Sequence, residues 1–426
     1  PAYGGLAVSP REILERAPSG LELRQASGAA GIVLGLWLSG VFAASLLARA
    51  ETQGFEVLLI LAASLLWPLL YFMTRGPFLP PSPSRGTQAG LILFSAFSAA
   101  SVFVSPIIWT SAAYFGMTLI VFMISLQFNS ALAPEQYRRG IGLYACLVTA
   151  LLACYAVRYY HPGVRLGRDA LGDDIGIFNP NSIGMLSLSV IAAGFAVKGW
   201  LLRMPILAVG TTVLVLTESR SSSLGALIAL TVILWARGRH AGTGAKVALL
   251  CALLLAAGAA AVYWSTIADA VERFLAVHNS DRGFGTGFTG RLQVWKETWN
   301  LFLDHPLVGV GFRAHEVLVT SQSSAHNGYI STLAEIGVVG FAAVIYVIGA
   351  GIMRLKRLAC EGGHEVAAAV LLAICLGYCF VAIFERYLIN VGNPVSLLFM
   401  LGILRGAANK GGEAAAREEV EGTGPW

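Results

Sequence analysis

Three places in this chain of 426 residues combine cationic or titratable side chains with small, backbone-exposing ones. In LTESRSSSLG, Arg220 precedes Ser221, Ser222 and Ser223, which can cap a new helix and leave its first N–H groups pointing outward. A guanidinium binds phosphate oxygens bidentately, so an arginine at such a helix start suits a bound anion. An interfacial arginine paired with Glu218 accounts for the segment equally well. In TGRLQVWKETW, Arg291 falls in the first turn of an expected helix, where the dipole disfavours a cation and a bound anion would remove the penalty. A solvated arginine that snorkels past headgroups is the alternative. In SSAHNGYISTLAEIGVVGF, His326 and Asn327 sit where a long polar segment meets an apolar run. An imidazole titrates near neutrality and can take a proton from a hydroxyl. The other histidines, His161, His240, His278, His305, His315 and His364, are read as structural.

The elements that must hold these residues are dictated by composition. The chain is 56% hydrophobic and 12% charged, with mean hydropathy +0.70, which leaves far more apolar surface than a soluble fold can bury. Apolar runs of about 17 to 25 residues recur, each long enough to cross the hydrocarbon core as a helix, whereas barrel strands would be shorter and alternating. The expected fold is therefore an all-α polytopic membrane protein of about twelve transmembrane helices. Their approximate limits are Ser27 to Ala48, Phe55 to Met73, Gln88 to Val104, Ile107 to Phe128, Ile141 to Tyr160, Ser182 to Val197, Leu201 to Thr217, Leu224 to Trp235, Ala245 to Trp264, Gly328 to Met353, Val366 to Tyr387 and Val395 to Leu404.

With the N-terminus in the cytoplasm, most of the 29 basic residues fall in short cytoplasmic loops, among them Arg138, Arg139, Lys198, Arg203, Arg237, Arg354 and Arg405. Both termini are then expected inside. Residues 1–264 form the first nine spans, 265–325 a long outside segment, 326–408 the last three spans and 409–426 a disordered tail. The long segment shows two amphipathic helices, one marked by Ile267, Val271, Phe274 and Leu275, the other by Leu292, Trp295, Trp299 and Phe302. Pro306 and the glycines of LVGVGF end the second. The six cysteines form no C-x-x-C pair and are read as small buried hydrophobes, and the polar start, Pro1 to Arg24, is expected not to act as a cleavable signal. Arg158, Arg165 and Arg168 with Asp169, Asp173 and Asp174 read as a solvated outer loop without a supporting metal cluster.

Taken together, ESRSS, GRLQVWKETWNLFLDHPLVGVGF and AHNGYISTLAEIGVVGF resemble the O-antigen ligase and polymerase superfamily, membrane glycosyltransferases that complete or extend surface polysaccharides. The resemblance runs from about Thr217 to Phe341 and is supported by the twelve-span layout. It implies a GT-C-like, metal-independent, inverting transferase that needs no cofactor and works at the periplasmic face of the bacterial inner membrane in lipopolysaccharide assembly. The implied donor is an undecaprenyl-diphosphate-linked glycan and the implied acceptor the lipid A core oligosaccharide. On this reading Arg220, Ser221, Ser222 and Arg291 hold the diphosphate. His326 deprotonates or orients the acceptor hydroxyl, and Asn327 fixes the ring tautomer. Two alternatives use the same donor: an O-antigen or exopolysaccharide polymerase, and a protein O-oligosaccharyltransferase. A lipid-linked glycan transporter would carry charges near mid-membrane, whereas most charges here lie at span ends and in outer loops.

Overall fold

The computed structural model describes residues 20–47, 55–75, 83–168, 179–239, 242–244, 291–321, 324–360, 365–385 and 388–407. Thirteen helices and no strand occur among them. The chain is an all-α polytopic membrane protein, with six described helices long and apolar enough to cross a bilayer and five shorter apolar ones. In order they are α1 (Gly20–Leu47), α2 (Phe55–Arg75), α3 (Arg85–Val104), α4 (Ile108–Ala131), α5 (Pro134–Tyr159), α6 (Pro180–Gly194), α7 (Trp200–Thr217), α8 (Arg220–Gly238), α9 (Arg291–Asp304), α10 (His315–Leu318), α11 (Gly328–Cys360), α12 (Val366–Val381) and α13 (Pro394–Ile403). Eleven of the expected spans coincide with helices. The span 245–264, the first amphipathic helix, the acidic loop residues and the tail lie outside the described residues.

Packing rests on small residues at helix crossings, as expected where lipid tails remove the hydrophobic drive for helices to associate. Gly31 and Gly140 let α1 and α5 approach until an added Cβ at either would meet the other helix's backbone oxygens at 2.7–2.8 Å. Gly377 of α12 likewise comes so close to α8 that an added Cβ would meet the Gly225 carbonyl oxygen at 2.7 Å. Around these contacts α6, α12 and α13 are buried on nearly every side, whereas α7 turns Trp200, Leu201, Leu202 and Val215 outward. Of the cysteines in described segments only Cys375 is fully buried. Cys154 is exposed on the outer face of α5, a position compatible with lipid.

The two ends of the bundle differ chemically. At the lower end, the carbonyl-rich C-terminus of α6 is collected by three arginines: Arg138 donates to Ala196 O (2.6 Å), Arg203 to Val197 O (2.8 Å) and Arg237 to Phe195 O (3.1 Å). Cations are favoured there by the helix dipole. Arg405 forms a buried pair with Glu365 (2.8 Å), and Arg354 donates to Thr87 Oγ1 and Ile403 O. The upper end holds the Glu218–Ser219 turn between α7 and α8.

Candidate functional site

The α7–α8 turn is tight. Glu218 caps α7 in the left-handed region (φ +48°), a conformation uncommon for a residue with a Cβ, and α8 starts directly at Arg220. This corrects the sequence reading of Ser221–Ser223 as caps. Ser219 is the residue before the helix, and the three serines lie within its first turn. Ser219 and Ser222 bond to each other (2.9 Å), Ser222 reaches Asn181 O and Ser223 bonds back to Ser219 O. Ser222 is fully buried, so of the two expected phosphate-binding serines only Ser221 is partly accessible. Glu218 lies 3.8 Å from Arg165, whose Nε also donates to Thr217 O (2.9 Å). The loop before α6 thus brings a further arginine to the turn that carries Arg220, a placement its position in a charged stretch did not signal.

Arg291 opens α9 as expected, and its guanidinium lies 3.9 Å from Glu385, a carboxylate whose side chain is 3% exposed. Glu385 follows the end of α12 and was absent from the sequence reading, in which FERY looked like the close of a span. At the same turn, the backbone N–H of Gly328 donates to Ala382 O (2.8 Å) and Tyr329 Oη to Cys379 O (2.8 Å). Five residues beyond Arg220, Gly225 packs on Gly377 and Val381. Segment 377–385 is therefore the common neighbour of the elements bearing Arg220, Arg291 and His326.

His326 is itself left-handed (φ +46°). It immediately precedes Asn327, whose Oδ1 accepts from the N–H groups of Tyr329 and Ile330 (3.1 Å each) and so starts α11. Asn327 thus serves the helix start.

The HPLVGVGF and LAEIG motifs meet as backbone. Helix α11 breaks at Gly337 (φ +69°, ψ 179°). The groups freed by the break are satisfied by the crossing segment: Val310 N donates to Ala334 O (2.9 Å), Gly311 N to Glu335 O (3.2 Å) and Val338 N to Pro306 O (2.8 Å). A Cβ at Gly337 would strike the Leu307 carbonyl, and one at Gly309 (φ +78°) the Glu335 carbonyl. These glycines are demanded by a crossing, and the residues after the break run on as the long span.

Inside the crossing lies a buried polar cluster. His315 Nδ1 is 2.5 Å from Glu335 Oε1, and its Nε2 is 3.4 Å from Ser324 Oγ and 3.3 Å from Ser331 Oγ. His315, expected as one of the structural histidines, is buried with three polar partners. On the outer edge, Glu297 of α9 accepts from Thr320 N (3.0 Å) and Ser321 N (3.1 Å), and these two bonds hold its carboxyl below the usual range. No group of three or more His, Cys, Asp or Glu side chains suited to a metal occurs among the described residues.

Arg220, Arg291 and His326 thus lie on elements that meet beside one turn, and the crossing motifs hold that turn's neighbours. Residues 205–345 match the family model described as O-antigen ligase. The matched stretch is similar to that family and supports a glycan-transferring role. It contains all three residues and both crossing motifs. No curated protein matches the chain.

Proposed function

We propose that this protein is an O-antigen ligase that moves a glycan from undecaprenyl diphosphate to the lipid A core oligosaccharide at the periplasmic face of the bacterial inner membrane. The observation that carries the reading is that the matched domain holds two arginines and a histidine, on elements that converge on segment 377–385. A diphosphate is a good leaving group, so its departure needs charge stabilisation rather than an acid. Arg220 and Arg291, with the partly accessible Ser221 at the α8 start, supply that stabilisation. His326 removes the acceptor proton or orients the hydroxyl for in-line attack at the anomeric carbon, which inverts configuration. No step calls on a metal ion.

The orientation reading draws support from the lower end. Arg138, Lys198, Arg203, Arg237, Arg354 and Arg405, which the loop asymmetry assigns to the cytoplasm, gather there, opposite the turn that carries Arg220. The domain limits 1–264, 265–325, 326–408 and 409–426 follow the same topology.

Reconstitution with purified undecaprenyl-diphosphate-linked O-antigen and lipid A core, in EDTA, tests the activity. Product on the lipid A core is the expected result. Chain extension on a second lipid-linked glycan would make the protein a polymerase, and a requirement for divalent ions would overturn the metal-free chemistry. For orientation, a Cys placed at Gly285 should react with an impermeant thiol reagent added from the periplasmic side.

A further inference from the structure

We propose that His315 is a positioning residue: its buried imidazole, braced by Glu335, clamps the turn that carries His326. The inference rests on the assignment of His326 to the acceptor hydroxyl. The His315 side chain is 1% exposed and that of Glu335 8%, while Ser324 and Ser331 are buried at 0% and 2%. These four groups come from three segments: the short helix α10, the loop leading to His326, and the first turns of α11. With Nδ1–H donating to the Glu335 carboxylate, Nε2 accepts from one serine hydroxyl at a time, with both within reach. A doubly protonated ring would keep the same contacts with Nε2–H as donor, so the tie does not depend on the ring's charge.

Geometry makes this tie consequential for His326. Ser324 lies two residues before it and Asn327, which caps α11, one residue after it. The left-handed turn is therefore anchored on both sides. A non-glycine residue in that region persists only where its surroundings over-determine it. Glu335 links the two halves of the domain. Its backbone carbonyl accepts from Gly311 in the crossing segment, while its carboxylate holds His315. A cluster of four buried polar side chains is a poor source of stability compared with apolar packing, and a good source of fixed geometry. The clamp therefore transmits the position of the α11 break to the imidazole that meets the acceptor.

The test uses the full chain in proteoliposomes with undecaprenyl-diphosphate-linked O-antigen and lipid A core. Ser324→Ala removes one hydrogen bond to His315 and should lower kcat about five- to tenfold while the donor KM stays within about twofold. Ser324→Thr, which keeps the hydroxyl, should recover most of the loss. His315→Asn keeps a donor toward Glu335 but lacks Nε2, and should lower kcat further with donor binding again preserved. The proposal is overturned if both variants transfer at the wild-type rate. It is equally overturned if threonine is no better than alanine, or if kcat and donor binding fall together with loss of fold, which would mark the cluster as structural only. His326→Ala is run beside them. Near-normal transfer by His326→Ala removes the underlying assignment, whereas an inactive His326→Ala with a normal Ser324→Ala removes the clamp alone.

Discussion

Replacing Gly337 by alanine attacks the crossing that organises the upper end. Its φ of +69° and ψ of 179° lie in a region open almost solely to glycine, and its new Cβ would enter the Leu307 carbonyl. Adopting that conformation costs about 1–3 kcal/mol. Relief of the clash requires the 306–311 segment to move, which puts at risk the three backbone hydrogen bonds from Val310, Gly311 and Val338, each worth about 1 kcal/mol net. The loss should therefore total about 2–6 kcal/mol, according to how many of the bonds go. Gly349 is the control, because it sits in the same α11 and a Cβ there meets nothing within 4 Å. Gly349→Ala should be neutral or stabilise by up to about 1 kcal/mol through helix propensity. Thermal unfolding of both variants in the same lipid nanodiscs reads the difference, with transfer activity measured alongside. If Gly337→Ala proves no less stable than Gly349→Ala, the account of LAEIG and HPLVGVGF as a backbone crossing is wrong.

The arginines should respond differently from one another. Arg220→Ala and Arg291→Ala should each abolish or strongly reduce transfer in cells lacking the wild-type copy, with lysine a poor substitute because the bidentate fork is lost. Arg291→Ala should also cost stability by depriving the buried Glu385 carboxylate of a cation, so adding Glu385→Gln should recover the unfolding temperature without recovering transfer. His326→Ala should bind lipid-linked donor nearly as well as wild type yet lose about 10² to 10⁴ in single-turnover transfer, and a near-normal rate would leave the base unassigned. For Glu297, the folded carboxyl is held below its ordinary value of 4.5, so its contribution to stability is complete above that value and fades as pH falls through the lowered folded one. Hydrogen exchange at Thr320 and Ser321 should thus be unaffected near neutrality in wild type, accelerated by Glu297→Gln, and accelerated in wild type only in acid.

Membership of the membrane class, the helix positions and the three active-site candidates followed from the residues in order along the chain. Hydrocarbon thickness and the need to satisfy backbone groups internally leave little choice once runs such as Ile108–Ala131 are seen, and each of those signals is local. Arg291 at the start of α9 and His326 before α11 were legible for the same reason. What depended on distant segments was not. Glu385 lies nearly a hundred residues from Arg291 and becomes its neighbour only because α12 ends where α9 begins. Glu335 looked like part of a helix, yet it is the point where the 306–311 segment crosses a break and where His315 finds its partner. Periodicity along a helix cannot announce that its backbone opens for another strand of chain, because the compensating hydrogen bonds come from outside it. The serines after Arg220, expected as caps, lie inside the first turn on the same account: a polar side chain at a helix start takes whichever partner the fold brings within about 3 Å, and only the packed bundle determines which one arrives.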